Sequence, residues 1–321
     1  MTAKPLAMRD ALLAEIWQAM ASDENLFFVT ADFGSPQLDK IRADFPKRFV
    51  NVGVAEQNLI NVTAGLALEG FVVFAYAIAP FITMRCFEQL RVSLALLSEV
   101  RRMNVNLIGV GAGYSYTVSG PTHQCYEDIT LMRALPNFRV LSPADHVTAG
   151  RLLDLCMRHT GPKYIRLDAQ VLPTIYSEGS DKPNLELGFT NLQRGTKICI
   201  ISTGYMSHIA KQVAEDLAVK GIKVTLIDLF DITNFDQVLL IKLLRKHKGL
   251  VTVEEGFRGR GGVDAQFFEL IARNNLDVKL LNIGVEPGYN FELGTRSELH
   301  ERAGLGKTAL FNAVQKFNDS L

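Results

Sequence analysis

Asn51-Val-Gly-Val-Ala-Glu-Gln-Asn58 (NVGVAEQN) joins a strand end, a glycine turn and a helix start, with Glu56 in the first helical turn. Just upstream, Phe49 to Val52 is a short apolar run that reads as a strand. Downstream, Ala55 to Leu68 reads as a helix whose small residues Ala64, Gly65 and Ala67 permit close packing. A strand–Gly–helix joint sits at the carboxyl end of a strand, where open α/β sheets take their ligands.

The alternation continues outward. Before the joint come an amphipathic helix (Met8, Leu12, Ile16, Ala19, Met20), the strand-like run Leu26 to Thr30, and a loop marked by Asp32, Gly34, Ser35 and Pro36. After it, strands are expected at Phe71–Tyr76, Val105–Val110, Arg139–Leu141 and Lys163–Leu167, with helices at Phe87–Leu97 and Asp145–Arg158. Pro173 to Gly188 is a polar break. Beyond it the pattern restarts, with strands at Lys197–Ser202, Val224–Leu229, Leu250–Val253 and Val278–Ile283 and helices at Ser207–Lys220, Asp236–Lys246 and Val263–Ala272. This predicts an α/β protein of two doubly wound domains: residues 1–172 with a mostly parallel sheet, a linker at 173–188, and a smaller α/β domain at 189–321.

Composition narrows the function. Lys and Arg number 34, as do Asp and Glu, so the net charge is zero and no broad basic field exists to bind nucleic acid. The longest apolar run, Phe71 to Ile82, is too short for the ~18–20 residues of a membrane-spanning helix. The N-terminus has no signal-peptide core. Cys86, Cys125, Cys156 and Cys199 are far apart, which fits a reducing cytoplasm rather than a disulfide scaffold. G-x-G-x-x-G, Walker A and G-x-S-x-G are all absent, and the scattered histidines offer no metal-ligand spacing. One further segment stands out: Ser119-Gly-Pro-Thr-His-Gln124, a loop presenting His123 beyond a strand end.

NVGVAEQN and SGPTHQ, in this order and in this domain plan, resemble the transketolase family of thiamine-diphosphate enzymes. Val251-Thr-Val-Glu-Glu255 with Gly259 to Gly262 resembles that family's C-terminal domain. The resemblance spans about residue 6 to the end. It implies that Glu56 hydrogen-bonds the cofactor's aminopyrimidine and that His123 contacts the donor sugar. It places Asp32, Phe81, Ile82 and Arg85 around the cofactor, and Arg9, Ser119, Gln124 and Arg166 at the substrate. In the family, Arg9 and Arg166 match phosphate-holding positions, a task suited to guanidinium. Two departures concern the substrate: Ser119 stands where the family has Asp, and Gly111 stands where it has a histidine after the strand ending at Val110. Glu254 and Glu255 are expected to be structural.

Transketolases also carry a preceding domain that holds diphosphate and a divalent metal through G-D-G…N, and no G-D-G occurs here. The resemblance therefore implies the C-terminal half of a split enzyme. A separate N-terminal subunit would complete the thiamine diphosphate site and hold most of the Mg²⁺ ligands. Two-fold self-association through helix Ala55–Leu68 would give a cytoplasmic heterotetramer that moves a two-carbon ketol unit between small sugars. Three rival readings are weighed beside it. A subunit like 1-deoxy-D-xylulose-5-phosphate synthase is favoured by Arg85 before Phe87-Glu88-Gln89 and by the ending Leu293-Gly-Thr295. The others are a 2-oxoacid dehydrogenase β subunit and a non-catalytic scaffold; the presence of both Glu56 and His123 argues against the last.

Overall fold

Short, mostly apolar runs become the strands, and most of the longer segments between them become helices. The structure, a computed structural model, describes residues 5–176 and 183–321. Residues 1–4 of the expected first domain and 177–182 of the expected linker lie outside the described residues. In chain order the elements are α1 (Met8–Ser22), β1 (Leu26–Thr30), α2 (Pro36–Asp44), β2 (Phe49–Asn51), α3 (Glu56–Leu68) and β3 (Val72–Ile78). A π-helical turn (Phe81–Arg85), the short α4 (Phe87–Gln89) and a second π-helical stretch (Leu90–Leu96) follow. Then come β4 (Asn104–Val110), α5 (Asp128–Arg133), β5 (Arg139–Leu141), α6 (His146–Arg158) and β6 (Gly161–Leu167). The second half holds β7 (Phe189–Gln193), β8 (Ile198–Ser202), α7 (Met206–Val219), β9 (Thr225–Leu229), α8 (Gln237–Leu244), β10 (Gly249–Phe257) and α9 (Val263–Arg273). It ends with β11 (Lys279–Val285), α10 (Arg296–Arg302) and α11 (Lys307–Asp319).

The first sheet has six strands in the order β2-β1-β3-β4-β6-β5, all parallel. The chain leaves β1 toward β2 and returns to β3 on the other side, so the strand order reverses between β1 and β3. In open α/β sheets such a switch point is where a ligand crevice forms, outside the carboxyl ends of the strands. The second sheet has five strands, β11-β10-β8-β9-β7, with β7 antiparallel at the edge. Helix α3 lays Leu59, Ile60, Ala64 and Ala67 on the first sheet. Two of the small residues expected at an interface between chains thus serve packing within the chain, and Gln57, Asn58, Asn61 and Gly65 face outward.

Three differences from the sequence reading have physical causes. Helix α2 begins where a loop was expected, because Ser35 caps it, accepting a hydrogen bond from Leu38 N at 3.2 Å, and Pro36 opens its first turn. The expected helix Phe87–Leu97 is largely π-helical. The wider turn before it is supported by side chains: Thr83 Oγ1 donates to Ala79 O at 2.7 Å and Cys86 Sγ to Ile82 O at 2.8 Å. Strand β10 runs on to Phe257 and takes Glu254 and Glu255 into the interior.

The two sheets are joined along β5. Ser142 N donates to Phe230 O at 2.7 Å, Ile232 N donates to Val140 O at 2.8 Å, and Arg139 pairs with buried Asp231 at 2.5 Å. Beside this joint Glu254 is buried, accepting from Asp264 N at 3.0 Å through Oε1 while Oε2 has no partner. Burial pushes its carboxyl up to about 7. A raised folded-state pKa contributes stability below the unfolded value and loses it as pH rises through the folded one. Glu254→Gln, which keeps the acceptor and removes the charge, is therefore expected to match the parent near pH 4, below the ordinary carboxyl value of 4.5. At pH 8 it should exceed the parent by about 1–3 kcal/mol. Urea denaturation at the two pH values measures this, and an unchanged difference between them would refute it.

Candidate functional site

The candidate site is built from strand ends. Asn51, last in β2, staples it to β1: its Nδ2 donates to Asp32 Oδ1 at 2.8 Å, and its Oδ1 accepts from Asp32 N at 3.1 Å and Gly53 N at 2.9 Å. Asp32 has φ +59, a left-handed conformation that Asp tolerates better than most residues. Gly53, at φ +75, then turns the chain so that α3 starts with Glu56 pointing inward.

Glu56 is fully buried. Its Oε2 accepts from Arg85 Nη1 at 2.8 Å, and its Oε1 is buried without a partner. A carboxylate oxygen in that position costs free energy until a donor reaches it. Arg85 is half-exposed and lies over the Phe81 ring, its Cζ 4.5 Å from the ring centroid. The π-helical turn brings Phe81 and Arg85 together. Phe81 meets the His123 ring edge-on at 5.3 Å, and His123 meets Tyr116 edge-on at 6.2 Å. One continuous wall results, running Glu56, Arg85, Phe81, His123, Tyr116.

The His123 loop is held from beneath. His123 N and Gln124 N both donate to Gly120 O at 3.1 Å, and Gly120 has φ +69. Thr122 Oγ1 lies 3.0 Å from His123 Nδ1. Gln124 is buried, its Oε1 accepting from Tyr126 OH while its Nε2 has no partner. Ser119 is exposed on the same loop.

The other expected site residues divide. Arg9 pairs with Asp10 at 2.9 Å and lies close to the buried Tyr76 phenol, which burial pushes up to about 12 against the pull of Arg9. Ile82 is fully buried in the apolar cluster that includes Leu59, Ile60 and Leu90, on the core side of the wall. Arg166, expected at a substrate phosphate, is buried. Its guanidinium lies at the domain seam, with Nε on Asp128 Oδ2 at 2.8 Å and Nη2 on Glu255 O at 3.3 Å.

Sequence reasoning missed Tyr116 and the seam below it. Glu255 accepts from Arg296 Nη2 through both oxygens at 3.0 and 2.8 Å, from His300 Nε2 at 2.6 Å and from Tyr114 N at 3.3 Å. Arg296 also pairs with Asp168. Burial alone would raise the Glu255 carboxyl, but Arg296 and His300 outweigh it and hold it well below the carboxylate range. The Val-Glu-Glu motif and Arg296 were the available signals; their meeting with Tyr114 across the domains was not visible locally.

The pyrimidine-binding domain model of transketolases matches residues 4–174, and the transketolase C-terminal domain model matches residues 190–310. This chain belongs to the transketolase family. Among its relatives, an apulose-4-phosphate transketolase subunit from Actinobacillus succinogenes is 30% identical over 275 residues, covering 86% of each chain. A 6-deoxy-6-sulfo-D-fructose transketolase subunit from a Clostridium species is 28% identical, covering 97% of this chain and 94% of that one. A split-gene transketolase, solved as an inactive β4 tetramer, superimposes with a TM-score of 0.83 at 28% identity, over 98% of both chains.

Proposed function

We propose that this chain is the catalytic C-terminal subunit of a split thiamine-diphosphate transketolase, moving a two-carbon ketol unit from a ketose to an aldose. The observation that carries the reading is Glu56: a fully buried carboxylate with one oxygen unpartnered, at the foot of an aromatic wall that includes a histidine. That oxygen fits the ring nitrogen of an aminopyrimidine, and the Phe81 face fits the flat ring. Thiamine diphosphate, when bound, supplies the carbanion-stabilising chemistry. The protein's part is to hold and move protons. Glu56 accepts and shares a proton at the pyrimidine nitrogen, kept in place by Arg85. Asp32 lines the neighbouring strand end. His123 hydrogen-bonds the sugar hydroxyls beyond Phe81, on a loop anchored by Gln124 and edged by Ser119. Arg9 faces the far end of the sugar.

The diphosphate and Mg²⁺ are assigned to a partner chain bearing G-D-G…N. Beside α3, Val54, Val92, Leu96 and Val100 are exposed, an apolar strip suited to two-fold self-association within a heterotetramer. No described helix is long and apolar enough to cross a membrane. The four cysteines are free and buried, as a cytoplasmic location would allow.

The test is reconstitution. Calorimetry should find weak or no thiamine diphosphate binding to this chain alone with Mg²⁺. Adding the N-terminal subunit should produce both tight binding and ketol transfer between a ketose and an aldose. Tight binding by the isolated chain would sink the split-site reading, and a reconstituted complex without transfer would sink the activity.

A further inference from the structure

We propose that Tyr116 determines donor specificity: its ring forms the end wall of the sugar pocket beyond His123, in space that the glycine at position 111 leaves open. The inference rests on the transketolase reading and deepens it. Gly111 has φ +100, a conformation L side chains rarely adopt, and a Cβ built there would lie 2.0 Å from Tyr116 Cε2. Position 111 thus has no room for a side chain while Tyr116 is in place. A substrate extending away from Glu56 along the wall passes Phe81 and His123 and then meets the Tyr116 ring.

The backbone leading to the ring is tied down. On one side Tyr114 N is bonded to the buried Glu255 carboxylate at 3.3 Å. Next to the ring, Ser115 N donates to Ala112 O at 3.2 Å and Ser115 O accepts from Gln170 Nε2 at 3.0 Å. Tyr116 itself is only partly buried, so one part of it remains free to face a ligand. Burial raises its phenol above the ordinary value against the pull of nearby Arg9, so it stays neutral at physiological pH. A bulky, uncharged side chain in this place sets pocket length.

The experiment uses the enzyme assembled with its N-terminal subunit and compares a five-carbon with a seven-carbon ketose bearing the same terminal group. Tyr116→Ala should shift the ratio of kcat/KM values toward the longer donor by about 10- to 200-fold, the range for small changes in pocket volume, chiefly through KM. Tyr116→Leu should shift it in the same direction by less, and Tyr116→Phe should leave it near the parent. An unchanged ratio in both Tyr116→Ala and Tyr116→Leu would overturn the wall. So would a Tyr116→Phe shift as large as that of Tyr116→Ala, which would assign the effect to the hydroxyl. A parent complex inactive on both ketoses would overturn the transketolase reading and this inference with it.

Discussion

Glu56→Gln in the assembled enzyme should lower kcat by about 30- to 1000-fold while leaving thiamine diphosphate affinity within a few-fold of the parent. The side chain is fully buried, with Oε2 on Arg85 Nη1 at 2.8 Å and Oε1 unpartnered. Gln preserves the shape and can still accept from Arg85, so the pocket and the pose of a flat ring against Phe81 survive. What it loses is the capacity to take up and share a proton. Such a loss in a dry site corresponds to about 2–4 kcal/mol in the barrier. Exchange of the cofactor's C2 proton with deuterium isolates the step, because it precedes any contact with sugar. It should slow in Glu56→Gln and stay near the parent rate in His123→Ala, whose ring lies further along the wall. Parent-rate exchange in Glu56→Gln would remove Glu56 from proton transfer whatever the fate of the overall activity.

The strand–turn–helix at Asn51 to Asn58 and the His123 loop were legible because their chemistry is local. A glycine turn, a capping position and a loop with Gly120 and Pro121 announce themselves within a few residues. The parallel strands of both sheets followed from alternation, the antiparallel edge strand β7 did not, and the family resemblance added the expected roles. What stayed hidden depends on distant partners. Arg166 looks the same in sequence whatever stands beside it, and only the approach of α5 and β10 brings Asp128 and the Glu255 carbonyl to it. The π-helical turn that aligns Arg85 over Phe81 rests on Thr83 and Cys86 bonding back to carbonyls, which apolar periodicity does not encode. Tyr116 became meaningful only once Gly111 was seen beneath its ring. Each of these is a contact between segments, and single-chain pattern reading weighs segments one at a time.

The seam under the site makes the strongest claim on stability. Arg296 is buried between Asp168 of the first domain and Glu255 of the second, with its Cζ 3.5 Å from the centroid of Tyr205. Arg296→Met would keep much of the volume and strand two buried carboxylates, with only His300 and Tyr114 N left to Glu255 and Gln170 N to Asp168. Removing one partner of a buried ion pair costs about 3–5 kcal/mol, so urea denaturation should show a loss of that size. Arg296→Lys should recover only part of it, because a single ammonium cannot reproduce the planar fork that reaches both acids. The effect should also reach the chemistry. Glu255 holds Tyr114 N at the root of the loop bearing Tyr116 and His123, so Arg296→Met should raise the KM for the donor sugar more than it weakens cofactor binding at Glu56. A loss below about 1 kcal/mol would mean that hydrophobic packing, not this charge network, joins the domains. A loss of stability without any rise in donor KM would mean that the His123 loop keeps its position without Glu255.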